Sequence, residues 1–332
     1  MDKMYGNVPV IIHADDYGET YNTSMEMLKL MAGGHLDGIS LITNMRDAKR
    51  YFDMFYKAIP DMPYLPLINV HVNLVEGRSL LVEGPEDSVY DTPCLAWDWG
   101  GLFKASYHIP ARDRNGEPMR HGAVFDRLVK EITLQLKTGK AFIEKAQSIA
   151  EEKGVPYTPQ EIRIDSHQHA HMIPIVRKAI ARVIENEGLK VTYIRNSHEP
   201  LMPFLKEKRC RSLIGFIKNR ILAFEAPAME HYIKRNVGTP NYLCGVMMSG
   251  HMDLARLMMV LPGILEKCRK KGCGLEINIH PAMMLETEAT EEIPMGAARS
   301  FYMSTDRHTE ALTVRTIRAA MDNAFNKPKT NE

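Results

Sequence analysis

Several things are scarce in this 332-residue chain, and each scarcity removes a class of protein. The five cysteines, at 94, 210, 244, 268 and 273, are an odd number without paired spacing. Cys268 and Cys273 fit neither a Cys-x-x-Cys redox pair nor a zinc ribbon, so reduced thiols are expected. No window approaches the ~20 apolar residues of a membrane-spanning helix. The opening MDKMYGNVPVIIHADD lacks the apolar stretch of a secretory signal. A soluble, cytoplasmic protein is the expectation. Neither sign of charge dominates, with 42 basic and 41 acidic residues and a net +1. The whole chain therefore carries no electrostatic footprint for nucleic acid or an anionic membrane. No glycine-rich phosphate turn follows the first apolar run, which argues against a dinucleotide-binding fold.

What is present is an alternation of short β-branched runs with longer stretches of helical spacing. Val8–His13, Gly38–Thr43, Leu67–Leu74, Ile162–Ser166, Lys190–Arg195, Gly245–Ser249 and Gly274–His280 read as strands. Asn22–Ala32, Ala48–Ala58, Phe125–Glu152, Ile175–Glu187, Asp253–Lys271 and Thr309–Phe325 read as helices. Strands alternating with helices predict a parallel sheet in an α/β fold, either closed as a barrel or open and doubly wound. The segment from Val75 to about Arg120 lacks periodicity and reads as a long loop on the functional face. From Pro200 to about Gly238 the chain is basic and irregular, which suits a solvated charged surface, or helices serving as a lid or interface.

Four polar clusters fall at the ends of these strands: Asp15-Asp16, His71, Asp165 to His171, and His280. In parallel α/β folds the C-terminal strand ends are where sites are built. Two adjacent carboxylates repel unless a cation or a shared proton relieves them. One can then hold a metal while the other acts as a base, although the pair could equally cap the next helix. The run Asp165-Ser166-His167-Gln168-His169-Ala170-His171 is the sharpest signal. On an extended strand His167 and His171 would sit roughly 13 Å apart, so one ion cannot take all three imidazoles unless the chain turns. His280, before Pro281, is a candidate proton donor beside such a site.

With Ala14-Asp15-Asp16-Tyr17-Gly18, His71, the Asp165–His171 run, His280-Pro281 and a weaker Arg307…Leu312 pattern in this order, the chain resembles YdjC-like carbohydrate deacetylases from about residue 8 to 320. The resemblance implies a TIM-like (β/α) barrel, of which an irregular form is allowed, with the site at the C-terminal strand ends. It implies one domain over 1–332, with a loop insertion at about 75–120 and a helical insertion at about 200–240. It implies Asp16, His71 and His167 as ligands of a divalent metal, Asp15 as catalytic base and His280 as general acid. Magnesium is favoured by the resemblance, while two imidazoles and one carboxylate would suit zinc. His169, His171, Trp97 and Arg307 are expected at the substrate, with Trp97, Trp99 or Phe103 either stacking on a sugar ring or packing the loop. The implied reaction is removal of N-acetyl groups from amino sugars or chitooligosaccharides by water activated at the metal. A metal-dependent phosphoesterase, another amidohydrolase and an inactive sugar-binding protein are the alternatives. The partner is a small carbohydrate, with no nucleic acid or membrane, and a homodimer is compatible. The chain departs from the family pattern at His13, where asparagine is usual, at Asn69-Val70-His71-Val72, and at Ala282, where glycine is expected.

Overall fold

A computed structural model of the chain describes residues 3–81, 92–293 and 299–326. β1 (Lys3–Tyr5) turns through Gly6-Asn7, both at positive φ, and pairs antiparallel with β2 (Val8–Tyr17). From there strand and helix alternate. α1 (Tyr21–Ala32) starts at Thr20, whose side chain accepts the Thr23 N–H. β3 (Gly38–Leu41), α2 (Ala48–Ala58), β4 (Leu67–Val72), α3 (Trp99–Ser106) and α4 (His121–Lys153) follow. Next come β5 (Ile162–Ser166), α5 (Pro174–Asn186), β6 (Val191–Ile194), α6 (Met202–Lys206) and α7 (Leu213–Asn236). β7 (Tyr242–Cys244), α8 (Leu254–Lys271), β8 (Leu275–Ile279), α9 (Arg299–Tyr302) and α10 (Asp306–Phe325) complete the described chain.

Seven strands form one parallel sheet in the order β6-β5-β4-β3-β2-β8-β7. The sheet curls into a half-barrel surrounded by helices, so the expected TIM-like α/β architecture holds. Its two edge strands do not pair with each other among the described residues. The gap is bridged instead by the Leu243 N–H, which donates to the His198 carbonyl at 3.0 Å. Tyr193 and Arg195, at the end of β6, also reach Glu276 on β8.

Period-two alternation divides β2, β3, β4, β5 and β8 between two environments. Ile12 and Ala14, Ile39 and Leu41, Val70 and Val72, Ile162 and Ile164, and Ile277 and Ile279 join the apolar core packed by the helices. The residues between them are polar and equally buried: His13 and Asp15, Ser40, Asn69 and His71, Asp165, Glu276 and Asn278. Their side chains meet across non-adjacent strands. Ser40 on β3, for example, lies within hydrogen-bond distance of Asp15 on β2 and Asp165 on β5. The concave side of the sheet therefore holds a polar network rather than an apolar plug.

Two expected elements are different in the structure. The segment expected as a long loop after Val75 contains α3, whose first turn is capped by the Asp98 carboxylate accepting the Gly101 N–H. Residues 82–91 of that segment lie outside the described residues. The strand expected at Gly245–Ser249 is at Tyr242–Cys244 instead. The N–H groups of Gly245, Val246 and Met247 all donate to the buried carboxylate of Glu199, which takes the place of a neighbouring strand. The basic segment near 200–240 folds into α6 and α7. All five cysteines carry free thiols, and among the described residues no helix is long and apolar enough to cross a membrane.

Candidate active site

The two adjacent aspartates are separated by the backbone. The β2–β3 register shifts between Ala14 and Tyr17, and Asp16 adopts a φ of 72°, a left-handed conformation that Asp tolerates better than most residues. Gly18 completes the bend at φ 95°, where a Cβ would stand 2.9 Å from the Ile42 carbonyl oxygen. Asp15 continues the inward alternation of β2, and Asp16 faces His71 and His167.

Asp16 Oδ1 lies 2.8 Å from His167 Nδ1 and 3.3 Å from His71 Nε2. Ligand atoms about 2.1 Å from a common ion are roughly 3.0–3.4 Å apart, so this donor set suits a divalent cation. The remaining ring nitrogens are held from behind, as in metal-binding histidines. His71 Nδ1 is 2.6 Å from Asp165 Oδ1, and His167 Nε2 is 3.1 Å from the Tyr302 hydroxyl and 3.3 Å from Glu76 Oε2. Tyr302 in turn donates to Glu76. Glu19, Glu76 and His167 form a second group of potential ligands. It would use the opposite nitrogen of His167, so filling both groups would strip the ring of both protons.

Electrostatics agree with this division. Burial alone would lower the affinity of His71 for a proton, but Asp165 and Asp15 raise its pKa to about 9. Burial likewise opposes charge on His167, yet Glu76 and Asp16 hold it well above the ordinary imidazole value. Asp16 is pushed up by burial and pulled well below the usual carboxylate range by His167 and His71. Burial, and then Asp16, push the Glu19 carboxyl up to about 8.

Asp15 has a different set of partners. Arg195 Nη1 and Nη2 donate to its two oxygens at 2.8 and 2.9 Å, and Asn278 adds a third bond at 2.9 Å. Against the cost of burial, Arg195 holds the Asp15 carboxyl well below its usual range. The same guanidinium reaches Asp165 at 2.9 Å and Glu276 at 2.5 Å. His13 joins this network through Ser40 at 2.7 Å. Gly38 lets its ring approach, since a Cβ there would stand 2.5 Å from His13 Nδ1.

His280 follows β8, with its backbone N–H donating to Glu310 Oε2 at 2.7 Å and its ring against Phe301. Its Nδ1 finds no hydrogen-bond partner among the described residues. Burial, with Arg307 adding to it against the pull of Asp16, lowers its pKa to about 4, so the ring rests neutral. Arg307 on α10 is fully buried and donates to Asp16 Oδ2 at 3.3 Å and to the His280 carbonyl at 3.3 Å. Ala282, where glycine was expected, has φ 120°, a region that favours glycine.

The expected site residues thus divide. Asp15, Asp16, His71, His167, His280 and Arg307 converge on one cluster, although Arg307 serves Asp16 rather than an open pocket. The chain turns sharply after Ser166, with Gln168 and His169 at φ 52° and 57°, and only His167 of the three histidines reaches Asp16. His169 is half-buried with Nδ1 2.9 Å from Ser197 Oγ. His171, expected to line the pocket, is fully buried. Its two nitrogens are taken by Ser166 at 2.6 Å and the Arg195 carbonyl at 2.9 Å, so it fastens the turn instead. Trp97, expected either at the sugar or packing the loop, packs in the core beneath the Arg127 guanidinium of α4. Trp99 and Phe103 stack on each other, centroids 5.3 Å apart. The residues not anticipated are Arg195, Glu76, Tyr302 and Glu310. Arg195 had a signal: it continues the inward phase of Tyr193 on an apolar strand.

The half-barrel and its buried carboxylate–imidazole cluster define an α/β protein with an ion-competent centre at the C-terminal strand ends. Residues 162–322 match the family described as YdjC-like protein, so the resemblance first carried by short motifs holds across the second half of the barrel. A carbohydrate deacetylase of Danio rerio is 24% identical over 264 residues, which are 78% of this chain and 72% of that protein. A solved structure described as a candidate cellobiose-phosphate cleavage protein of Enterococcus faecalis V583 superposes with a TM-score of 0.51 at 14% identity. It covers 95% of this chain and 93% of the other, and speaks for the fold alone.

Proposed function

We propose that the chain hydrolyses the N-acetyl group of an amino sugar or chitooligosaccharide with the help of a divalent cation held by Asp16, His71 and His167. The observation that carries this reading is the convergence of those three side chains, with Asp165 and the Glu76–Tyr302 pair fixing the imidazoles from behind. A cation bound there would polarise the amide carbonyl and lower the pKa of a water at its open position. Magnesium is the favoured ion and zinc the alternative.

Asp15 accepts the proton of the attacking water. Arg195 keeps this carboxylate ionised throughout the neutral range, so it is a weak base whose oxygens also serve Arg195, Ser40 and Asn278. His280 gives a proton to the departing amine. Because it rests neutral, it gives its one ring proton, and the proton that Asp15 took from the water makes good the loss, so the cycle balances. Arg307 spans Asp16 and the His280 carbonyl and keeps acid and ligand in fixed relation. Arg195 and Arg307 are both committed to carboxylates, which disfavours a phosphate clamp and hence a phosphoesterase. The sugar-binding alternative would leave the Asp15–Asp16–His280 set without a task.

Acetate release from acetylated chitooligosaccharides, with and without chelator, tests the reading. Asp16→Asn is expected to weaken metal binding by more than about 100-fold, the upper range for loss of an outer partner, and to abolish turnover. Asp15→Asn should keep the ion and lose turnover. Metal-independent activity, or activity in both variants, would overturn the assignment.

A further inference from the structure

The basic segment before and within α7 is a feature of the sequence that the cluster does not use. Five large apolar side chains on α7 face solvent: Leu213 is 77% exposed, Ile214 69%, Phe216 36%, Ile217 51% and Phe224 73%. Leu213, Ile217 and Phe224 share one edge of the helix at spacings of four and seven. This face is not waiting to roll inward. Gly215 is seated so closely on Met247 that a Cβ would come within 2.6 Å of the Met247 carbonyl oxygen. Asn219, one turn on, donates to the Glu199 carbonyl at 3.0 Å. The inner face of the helix is fixed, so the outer face is apolar by construction.

Between residues 206 and 220 stand Lys206, Lys208, Arg209, Arg211, Lys218 and Arg220, all exposed, against the single acid Glu207. The near-neutral charge of the whole chain conceals this local excess. A second copy docking symmetrically on the same face would set these cations against themselves. An interfacial helix that combines bulky apolar side chains with Lys and Arg is the chemistry of an anionic lipid surface. We infer that the outer face of α7, with the basic turn preceding it, docks peripherally on an anionic lipid bilayer. The face borders the site: Lys218 Nζ is 6.0 Å from the Phe301 ring centroid, and Phe301 packs against His280. The inference does not depend on the reaction assigned to that site.

Co-sedimentation of the full chain with phosphatidylcholine vesicles, with and without phosphatidylglycerol, tests it. Binding is expected to the mixed vesicles, to be absent from phosphatidylcholine alone, and to fall as salt rises. Arg209→Gln with Arg211→Gln should weaken it about thirtyfold, the loss expected for two cations near an anionic surface. Ile214→Glu with Ile217→Glu should abolish it, with circular dichroism unchanged because both side chains face solvent. Wild-type protein that ignores mixed vesicles, or binding untouched by either double variant, would overturn the inference. So would a solution dimer that Ile214→Glu with Ile217→Glu splits into monomers.

Discussion

Two halves of the same buried polar network are built on opposite principles. Around Arg195, three carboxylates (Asp15, Asp165 and Glu276) share one permanent cation, with Ser40 and Asn278 satisfying further oxygens. Around Asp16, two of the three counter-charges are imidazoles, which can lose their protons, and Arg307 is the third. Here the Glu19 carboxylate and Glu76 Oε2 find no hydrogen-bond partner among the described protein groups. A guanidinium cannot be deprotonated in a protein and cannot be displaced cheaply by another cation. Imidazoles can surrender both place and proton to an ion. The first half is therefore held by a fixed charge, with Asp15 as its one proposed reacting group, and the second half is equipped for exchange, although both are equally buried.

Removing the permanent cation should have the largest effect. Arg195→Met leaves three buried carboxylates without their counter-ion and is expected to cost about 3–5 kcal/mol in urea unfolding. A loss below about 1 kcal/mol would mean the Arg195 half is no more structural than its neighbour.

A pH series separates the halves next. The folded protein raises His71 to about 9, above its unfolded value of about 6.5. The stability this proton contributes is complete below about pH 6.5 and is lost as pH rises through about 9. Metal-free thermal stability should therefore decline across that window in the wild type, with a shallower slope in His71→Phe. Affinity for a divalent ion, measured by titration calorimetry, should rise over the same interval as the competing proton leaves. Identical slopes in both proteins would remove the contrast.

The smallest expected effect concerns the third histidine of the run. His171→Ala breaks the bonds to Ser166 and the Arg195 carbonyl and should cost about 1–3 kcal/mol. The stoichiometry of metal binding should not change. A loss of bound ion in this variant would move His171 from the scaffold to the centre.

Much of this was legible along the chain because period-two alternation is a local property. The inward phase of Asn69-His71, Asp165 and Glu276-Asn278 can be counted in each strand separately, as can the apolar phase that packs on the helices. The start of α8 was similarly readable to within a residue: the helix expected from Asp253 begins at Leu254, with the Asp253 carboxylate accepting the Arg256 N–H. The errors came where satisfaction was remote. Gly245–Met247 has the composition of a strand, but Glu199, some 46 residues away, takes its N–H groups. Trp97 could be read either way along the chain, and the structure packs it beneath Arg127 on α4.

The aspartate pair shows where sequence ends and tertiary structure begins. Residues 13–18 by themselves determined that two carboxylates would stand at the end of a buried strand, followed by a glycine that permits a sharp bend. They also determined that the two side chains must diverge, because adjacent residues cannot share a face. Which carboxylate would meet His71 and His167 and which Arg195 depended on β4, β5 and β6, more than 50 residues downstream. Only the curl of the sheet brings His71 and His167 to Asp16 and Arg195 to Asp15, and electrostatic roles follow from those distances rather than from residue type.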